Sequence, residues 1–128
     1  MSDKNKKKIL VIEDDPHIVK VFMIKLKQEG FEPTIAGDGE TGLQKIIETK
    51  PDLIMMDLML PKKDGFWVME EMKKNPEISK IPVIVLSNLG QEQDRERATS
   101  LGAKEYVIKS DVPISEVLDR VKKYLGTV

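Results

Sequence analysis

A doubly wound α/β fold, with a parallel sheet covered by helices on both faces, is the architecture this sequence predicts. Three observations point to it. Short apolar runs, such as ILVI at 9–12, LIMM at 53–56 and the stretch 81–86, alternate with segments of helical periodicity, the pattern of repeated βα units. These runs are uninterrupted rather than alternating, which suits strands buried on both faces. They also end in polar residues: Glu13, Asp14 and Asp15 after ILVI, Asp57 after LIMM, Ser87 after PVIVL. With 128 residues, 40% of them apolar, the chain can build one real core and is expected to fold as one domain with right-handed crossovers.

Residues 8–13 read as the first strand. Asp15-Pro16 is a helix start, with Asp as N-cap and Pro at the first helical position. Ile18, Val21, Phe22 and Leu26 recur at helical spacing, and Gly30 stops that helix. Residues 31–36 alternate through Phe31, Pro33 and Ile35; Pro33 cannot donate to a ladder, which places this strand at a sheet edge. After the turn Gly37-Asp38-Gly39, Leu43, Ile46 and Ile47 mark the inner side of a second helix. Pro51-Asp52 resets the chain for the LIMM strand. Asp64-Gly65 is a turn signal, with Asp64 not expected to bind a ligand. Phe66, Met69 and Met72 then give a third helix, stopped at Asn75-Pro76.

Residues 81–86 are the fourth strand. Residues 91–101 have helical composition but few apolar residues, chiefly Ala98 and Leu101, so this helix is expected to be loosely held. Residues 105–108 form the fifth strand and lead into Lys109. Ile114, Val117, Leu118, Val121 and Leu125 fall at i, i+3, i+4, i+7 and i+11, an amphipathic fifth helix. Trp67 and the methionines Met55, Met56, Met69 and Met72 read as packing residues.

Lys+Arg 21 against Asp+Glu 22 gives a net charge of −1, which argues against a nucleic-acid surface made by bulk charge. The absence of cysteine excludes disulfides, thiol catalysis and cysteine zinc sites. The single histidine, His17, argues against a histidine-based metal site and reads as a surface residue. The basic start MSDKNKKK is followed by only four apolar residues before Glu13, too few for a secretory segment. No run approaches membrane-spanning length. Residues 1–7 therefore read as a flexible basic tail and residues 8–126 as the folded domain. The expected setting is cytoplasmic, with no membrane association.

In a parallel sheet the carboxyl ends of all strands lie on one edge. The sequence thus brings Glu13, Asp14, Asp15, Asp57, Ser87 and Lys109 toward one crevice. Carboxylates crowded there repel one another and must share a proton or hold a cation. Oxygen ligands without histidine or cysteine suit Mg²⁺ or Ca²⁺. Mg²⁺ is preferred, because it retains waters and binds beside phosphate. Asp14 and Asp57 are the expected direct ligands, Glu13 acts through water, and the backbone carbonyl of Met59 is a further donor. A carboxylate can also be a nucleophile toward phosphorus, giving an aspartyl phosphate. That chemistry needs neutralisation of the phosphoryl oxygens more than it needs a base. Mg²⁺, the Lys109 ammonium and the Ser87 hydroxyl would each take one oxygen. Taken singly, the three acids would be an ordinary helix-start cluster and Lys109 an ordinary surface lysine; their convergence gives them roles.

The chain resembles the receiver domains of two-component response regulators, in layout the stand-alone, chemotaxis-type receivers. The residues that carry the likeness are Glu13-Asp14 after ILVI, Asp57 in LIMMDLMLP, Asp64-Gly65, Ser87 after PVIVL, and Tyr106 and Lys109 in GAKEYVIK. The match runs from Lys8 to Leu125. It implies a flavodoxin-like (βα)5 fold with strand order 2-1-3-4-5. It implies that Asp57 accepts a phosphoryl group from the phosphohistidine of a sensor histidine kinase or phosphotransfer protein. Ser87 and Tyr106 would then act as switch residues, changing the surface of helix four, strand five and helix five for a downstream protein partner. Such a protein catalyses only its own phosphorylation and slow dephosphorylation, as a monomer or a phosphorylation-dependent dimer. No DNA-binding segment follows the fifth helix, so direct contact with nucleic acid is not expected.

Three departures bear on this expectation. Ser110 stands where the family usually has proline; a cis bond before a non-proline residue costs about 3 kcal/mol, so a trans peptide is expected. Asn88 is bulkier than the small residue common at its position and narrows access. Met59 and Leu89 are apolar and cannot orient an attacking water, which predicts slow loss of phosphate. Two competing readings fit less well. A receiver-like binding module that is never phosphorylated would not need Glu13, Asp14, Asp57, Ser87 and Lys109 together. A flavin binder would need a Ser/Thr/Gly-rich phosphate loop after the first strand, where this chain has acids.

Overall fold

A computed structural model describes residues 6–126. Five parallel strands form one sheet in the order β2-β1-β3-β4-β5. The elements follow strictly as βα pairs: β1 Lys8–Ile12, α1 Pro16–Gln28, β2 Glu32–Ala36, α2 Gly39–Thr49, β3 Leu53–Met56, α3 Gly65–Lys73, β4 Val83–Ser87, α4 Glu92–Ser100, β5 Glu105–Ile108 and α5 Ile114–Leu125. This is the doubly wound, flavodoxin-like arrangement that the sequence predicts. Residues 1–5 of the expected basic tail lie outside the described residues.

The uninterrupted apolar runs are explained by two cores, one on each face. Successive strand residues point to opposite sides. Leu10, Ile12, Ile54, Met56, Val83 and Val85 pack on the side of Ile46, Phe66, Met69 and Ala98, from α2, α3 and α4. Ile9, Val11, Leu53, Met55, Ile84 and Leu86 pack on the side of Phe22, Leu26, Val117 and Val121, from α1 and α5. The sheet is therefore covered on both faces, and each buried Leu, Ile, Val or Met contributes about 1.5–3 kcal/mol relative to exposure. Met55, Met56, Met69 and Met72 are core residues, and Trp67 packs partly buried against the same cluster as Met69.

Helix starts follow the acids that precede them. Asp15 accepts hydrogen bonds from the backbone N–H of His17 and Ile18, Asp38 from Thr41 and Asp64 from Trp67, each satisfying an otherwise unpaired donor. Asp64 is thus a capping residue. Gly30, at φ 92°, lets the chain leave α1 in the left-handed region.

Several local expectations need correction. The first strand ends at Ile12, although Glu13 N–H still bonds the Ala36 carbonyl at 3.0 Å. The fourth begins at Val83 rather than Ile81, because Pro82 has no N–H to give. In β2 the alternation fails: Phe31, just before the strand, and Pro33 are buried, but Ile35 is 39% exposed on this edge strand. In α2, Ile46 faces the sheet with Gly39 and Gly42, while Ile47, one step of 100° around the helix, is 47% exposed. In α4 only Ala98 is buried; Leu101 packs partly buried just beyond it.

One close approach matters for the site. A Cβ at Gly39 would lie 2.1 Å from the backbone carbonyl oxygen of Lys63, in the loop that follows Asp57. No rotamer change relieves a clash with backbone. It outweighs the roughly 1 kcal/mol that alanine gains in helix propensity. Gly39→Ala is expected to cost about 1–3 kcal/mol in urea unfolding. Gly37→Ala, whose Cβ meets nothing within 4 Å, should stay within about 0.5 kcal/mol of the parent.

Candidate functional site

The carboxyl edge of the sheet is held by backbone bonds that run one residue past the strands. Asp57 N–H bonds the Ile12 carbonyl at 3.0 Å, and Lys109 N–H bonds the Ser87 carbonyl at 2.9 Å. Glu13, Asp57 and Lys109 each follow directly on β1, β3 and β5, and Ser87 is the last residue of β4. The side chains thus leave a rigid frame at known points, and the predicted strand-end residues do come together.

Lys109 is the hub. Its Nζ donates to Glu13 Oε1 at 2.6 Å and to Asp57 Oδ2 at 2.9 Å. The side chains of Glu13 and Asp57 are 4% and 9% exposed, that of Lys109 17%. Burial pushes the Glu13 carboxyl above the ordinary glutamate range, and the Asp57 charge adds to the push; the bonds from Lys109 and from Asp15 N–H pull the other way. For Lys109, burial works to lower the ammonium's pKa. The bonds and charges of Glu13 and Asp57 outweigh it and hold the pKa above the lysine value. No spacing rule links Glu13 to Lys109, and only the folded sheet brings them into contact.

Asp57 uses both oxygens. Oδ1 accepts the Met59 N–H at 3.1 Å while Oδ2 accepts Lys109. Asp14 is exposed beside the pair, and oxygens of Glu13, Asp14 and Asp57 lie within 4.8 Å of one another. Three carboxylates against one ammonium leave surplus negative charge, and an all-oxygen donor set of this kind fits a hard divalent cation. Above it opens a cleft of about 530 Å³, with Asp14, Met59, Pro61 and Leu89 among its walls. The Met59 side chain is 61% exposed there. Asp15, the third acid of the cluster, is spent on capping α1. His17 is exposed and lines a second cavity, of about 210 Å³, between α1 and α5, whose other walls include Ile18, Phe22, Val112, Ile114 and Lys109.

Ser87 is fully buried, and its Oγ accepts the Leu89 N–H at 3.1 Å. The Leu89 carbonyl in turn accepts the Tyr106 hydroxyl at 2.6 Å. Tyr106 is buried, and burial pushes its phenol above the ordinary tyrosine range. Every peptide bond among the described residues is trans, including that before Ser110. Among the described residues no buried side-chain polar atom lacks a partner, so the site is a closed network.

Lys109→Met removes the ammonium that separates Glu13 from Asp57. Breaking a fully buried pair costs about 3–5 kcal/mol. With Lys109 partly exposed, a loss of about 2–4 kcal/mol in urea unfolding without divalent cations is expected. Adding Glu13→Gln to that variant should recover at least half of the loss, since one of the two facing charges is then gone.

The chain is similar to known proteins over nearly its whole length. The family model described as response regulator receiver domain matches residues 9–122. The DNA-binding dual master transcriptional regulator RpaA of Synechocystis is 40% identical over 118 residues, covering 92% of this chain and 48% of that protein. The chain spans about half the length of the curated relatives it matches. Among solved structures, a putative response regulator from Chloroflexus aurantiacus superposes with a TM-score of 0.87 at 26% identity, covering 95% of this chain and 99% of that one. The receiver domain of the sensor histidine kinase PA1611 from Pseudomonas aeruginosa, with a magnesium ion in its active-site cleft, superposes with a TM-score of 0.85 at 25% identity, covering 95% and 99%. A family match that spans nearly the whole fold, on a chain whose strand ends gather three acids and a lysine, makes this chain a member of the response regulator receiver domain family.

Proposed function

We propose that Asp57 is the phosphoacceptor of this domain, taking a phosphoryl group from the phosphohistidine of a sensor histidine kinase or phosphotransfer protein. The observation that carries this is the convergence on Asp57 of a lysine at 2.9 Å and two further carboxylates. In the transfer an Asp57 oxygen forms a bond to phosphorus as the P–N bond breaks, and imidazole leaves. Lys109 then exchanges its carboxylate partner for a phosphoryl oxygen, and the Ser87 hydroxyl donates to another. Asp14, Asp57 and the backbone carbonyl of Met59 would hold Mg²⁺, with Glu13 acting through water. When bound, the ion supplies neutralisation of the phosphoryl oxygens. The magnesium reported for the PA1611 receiver domain supports the choice of metal.

The domain, residues 8–126, works as a signalling module. It turns over only its own phosphoryl group. An added charge of about −2 at one point would act through Ser87 and Tyr106 on the surface of α4, β5 and α5, for a downstream protein in the cytoplasm. Chemotaxis-type receivers suggest a monomer, and a phosphorylation-dependent dimer is the alternative. A net charge of −1 favours a protein over nucleic acid as the partner of this domain itself. No helix among the described residues is long and apolar enough to cross a membrane.

Incubation with a small acyl phosphate and Mg²⁺ should add one phosphoryl mass to the chain, and Asp57→Asn should abolish the adduct. An adduct that survives Asp57→Asn would overturn the assignment. Because Met59 and Leu89 flank the site with apolar groups, the adduct should persist for minutes or longer; a half-life of seconds with Mg²⁺ present would contradict this. Mg²⁺ should also stabilise the unphosphorylated fold, by about 1.4 kcal/mol at ten times its dissociation constant. Asp14→Asn should lose most of that gain in a thermal-shift titration.

A further inference from the structure

Helix α4 covers the sheet with a single buried side chain, Ala98. Two arginines supplement that contact. Arg97 places its guanidinium 4.1 Å from the centroid of the Phe66 ring on α3 and pairs with Glu70 at 3.2 Å. Arg95 places its guanidinium 4.9 Å from the centroid of the Tyr106 ring on β5, with Nη1 3.5 Å from the Tyr106 carbonyl. Two residues apart on a helix, the arginines leave it about 200° apart. One therefore reaches α3 and the other the β5 side, with Ala98 facing the sheet between them. Both are exposed to solvent along much of their length, so neither is needed to fill the core.

Arg95 has a longer reach than its own contact. The ring it covers belongs to Tyr106, whose hydroxyl holds the Leu89 carbonyl at 2.6 Å. The same residue's N–H holds the Ser87 hydroxyl oxygen at 3.1 Å. A guanidinium, an aromatic ring, the backbone of one residue and a serine thus form a continuous chain from the surface of α4 to the end of β4. We propose that Arg95 is a positioning residue: its guanidinium keeps Tyr106 packed inward and, through Tyr106 and Leu89, sets the place of the Ser87 hydroxyl. Its link to phosphorylation presupposes the assignment of Ser87 to the phosphoryl site above. Its effect on Tyr106 does not.

The test compares the parent chain with Arg95→Ala and Arg95→Lys, using nitration by tetranitromethane read by mass spectrometry of the separated tyrosine peptides. The unphosphorylated chain without Mg²⁺ is used. A contact of this kind is worth about a two- to fivefold change in the population of the packed ring. Tyr106 nitration should therefore rise about two- to fivefold in Arg95→Ala, with Tyr124 unchanged as internal reference. Arg95→Lys keeps charge but loses the stacked plane, and should fall between. Matched helix content by circular dichroism excludes unfolding, and Arg97→Ala should affect Tyr106 less than Arg95→Ala does. The second readout is the rate of phosphorylation by an acyl phosphate. Arg95→Ala should change that rate in the parent but not in Tyr106→Phe, where the bond to Leu89 is already gone. An unchanged Tyr106 nitration rate in Arg95→Ala would overturn the proposal, as would a rate effect of equal size in Tyr106→Phe. If no variant or parent is phosphorylated while nitration behaves as expected, it is the Asp57 assignment that fails, and the placement of Tyr106 by Arg95 stands.

Discussion

The Lys109 ammonium, bonded to Glu13 at 2.6 Å and to Asp57 at 2.9 Å, is the contact around which this edge of the protein is arranged. Two nearly buried carboxylates so close together would otherwise repel strongly. The lysine makes their burial tolerable, but it neutralises only part of the charge once Asp14 is added. A site left acidic in this way suits a divalent cation. On the proposed assignment the same lysine would stabilise the resting fold and change partner during the chemistry.

That arrangement depends on rigidity in one place and looseness in another. The strands are covered on both faces, and their ladder continues past the last strand residues at Asp57 and Lys109, so the backbone from which these two side chains leave is fixed. Gly39 adds to this by letting α2 approach the Lys63 carbonyl, which supports the loop behind Asp57. On the other side, α4 is attached by one buried alanine, two arginine–ring contacts and the exposed polar contacts Arg97–Glu70 and Lys73–Ser100 carbonyl. Contacts of that strength, about 0.5–1 kcal/mol each at exposed positions, are comparable to what a local change in charge can supply. The element expected to move is therefore the one the core holds least.

Much of this was legible in the amino-acid sequence, for definite reasons. LIMM could be read as a doubly buried strand because it offers no polar face, and the ends of parallel strands share one edge, so Glu13, Asp57, Ser87 and Lys109 could be gathered before any coordinates. Asp15-Pro16 announced α1 because an acid N-cap before proline has few other uses. Periodicity failed where burial is decided by place in the fold rather than by residue type: Ile35 sits on the edge strand and Ile47 one step around α2 from the buried Ile46, and both are exposed. The bond between Glu13 and Lys109 was not legible, since 96 residues separate them. Nor was the Arg95 contact with Tyr106. An arginine on a polar helix reads as a solvated surface residue, and the small number of apolar residues in α4 pointed only to a loosely held helix.

Asp57, among several neighbouring acids, is the residue proposed to form the bond to phosphorus. Borohydride reduction tests it most directly, because it converts an aspartyl phosphate to homoserine and marks the acceptor permanently. After treatment with an acyl phosphate and Mg²⁺, followed by reduction and peptide sequencing by mass spectrometry, homoserine should appear at position 57 and nowhere else. Homoserine at position 14, 5-hydroxynorvaline at position 13, or no reduced residue at all under conditions that phosphorylate a known receiver domain, would contradict the assignment of Asp57.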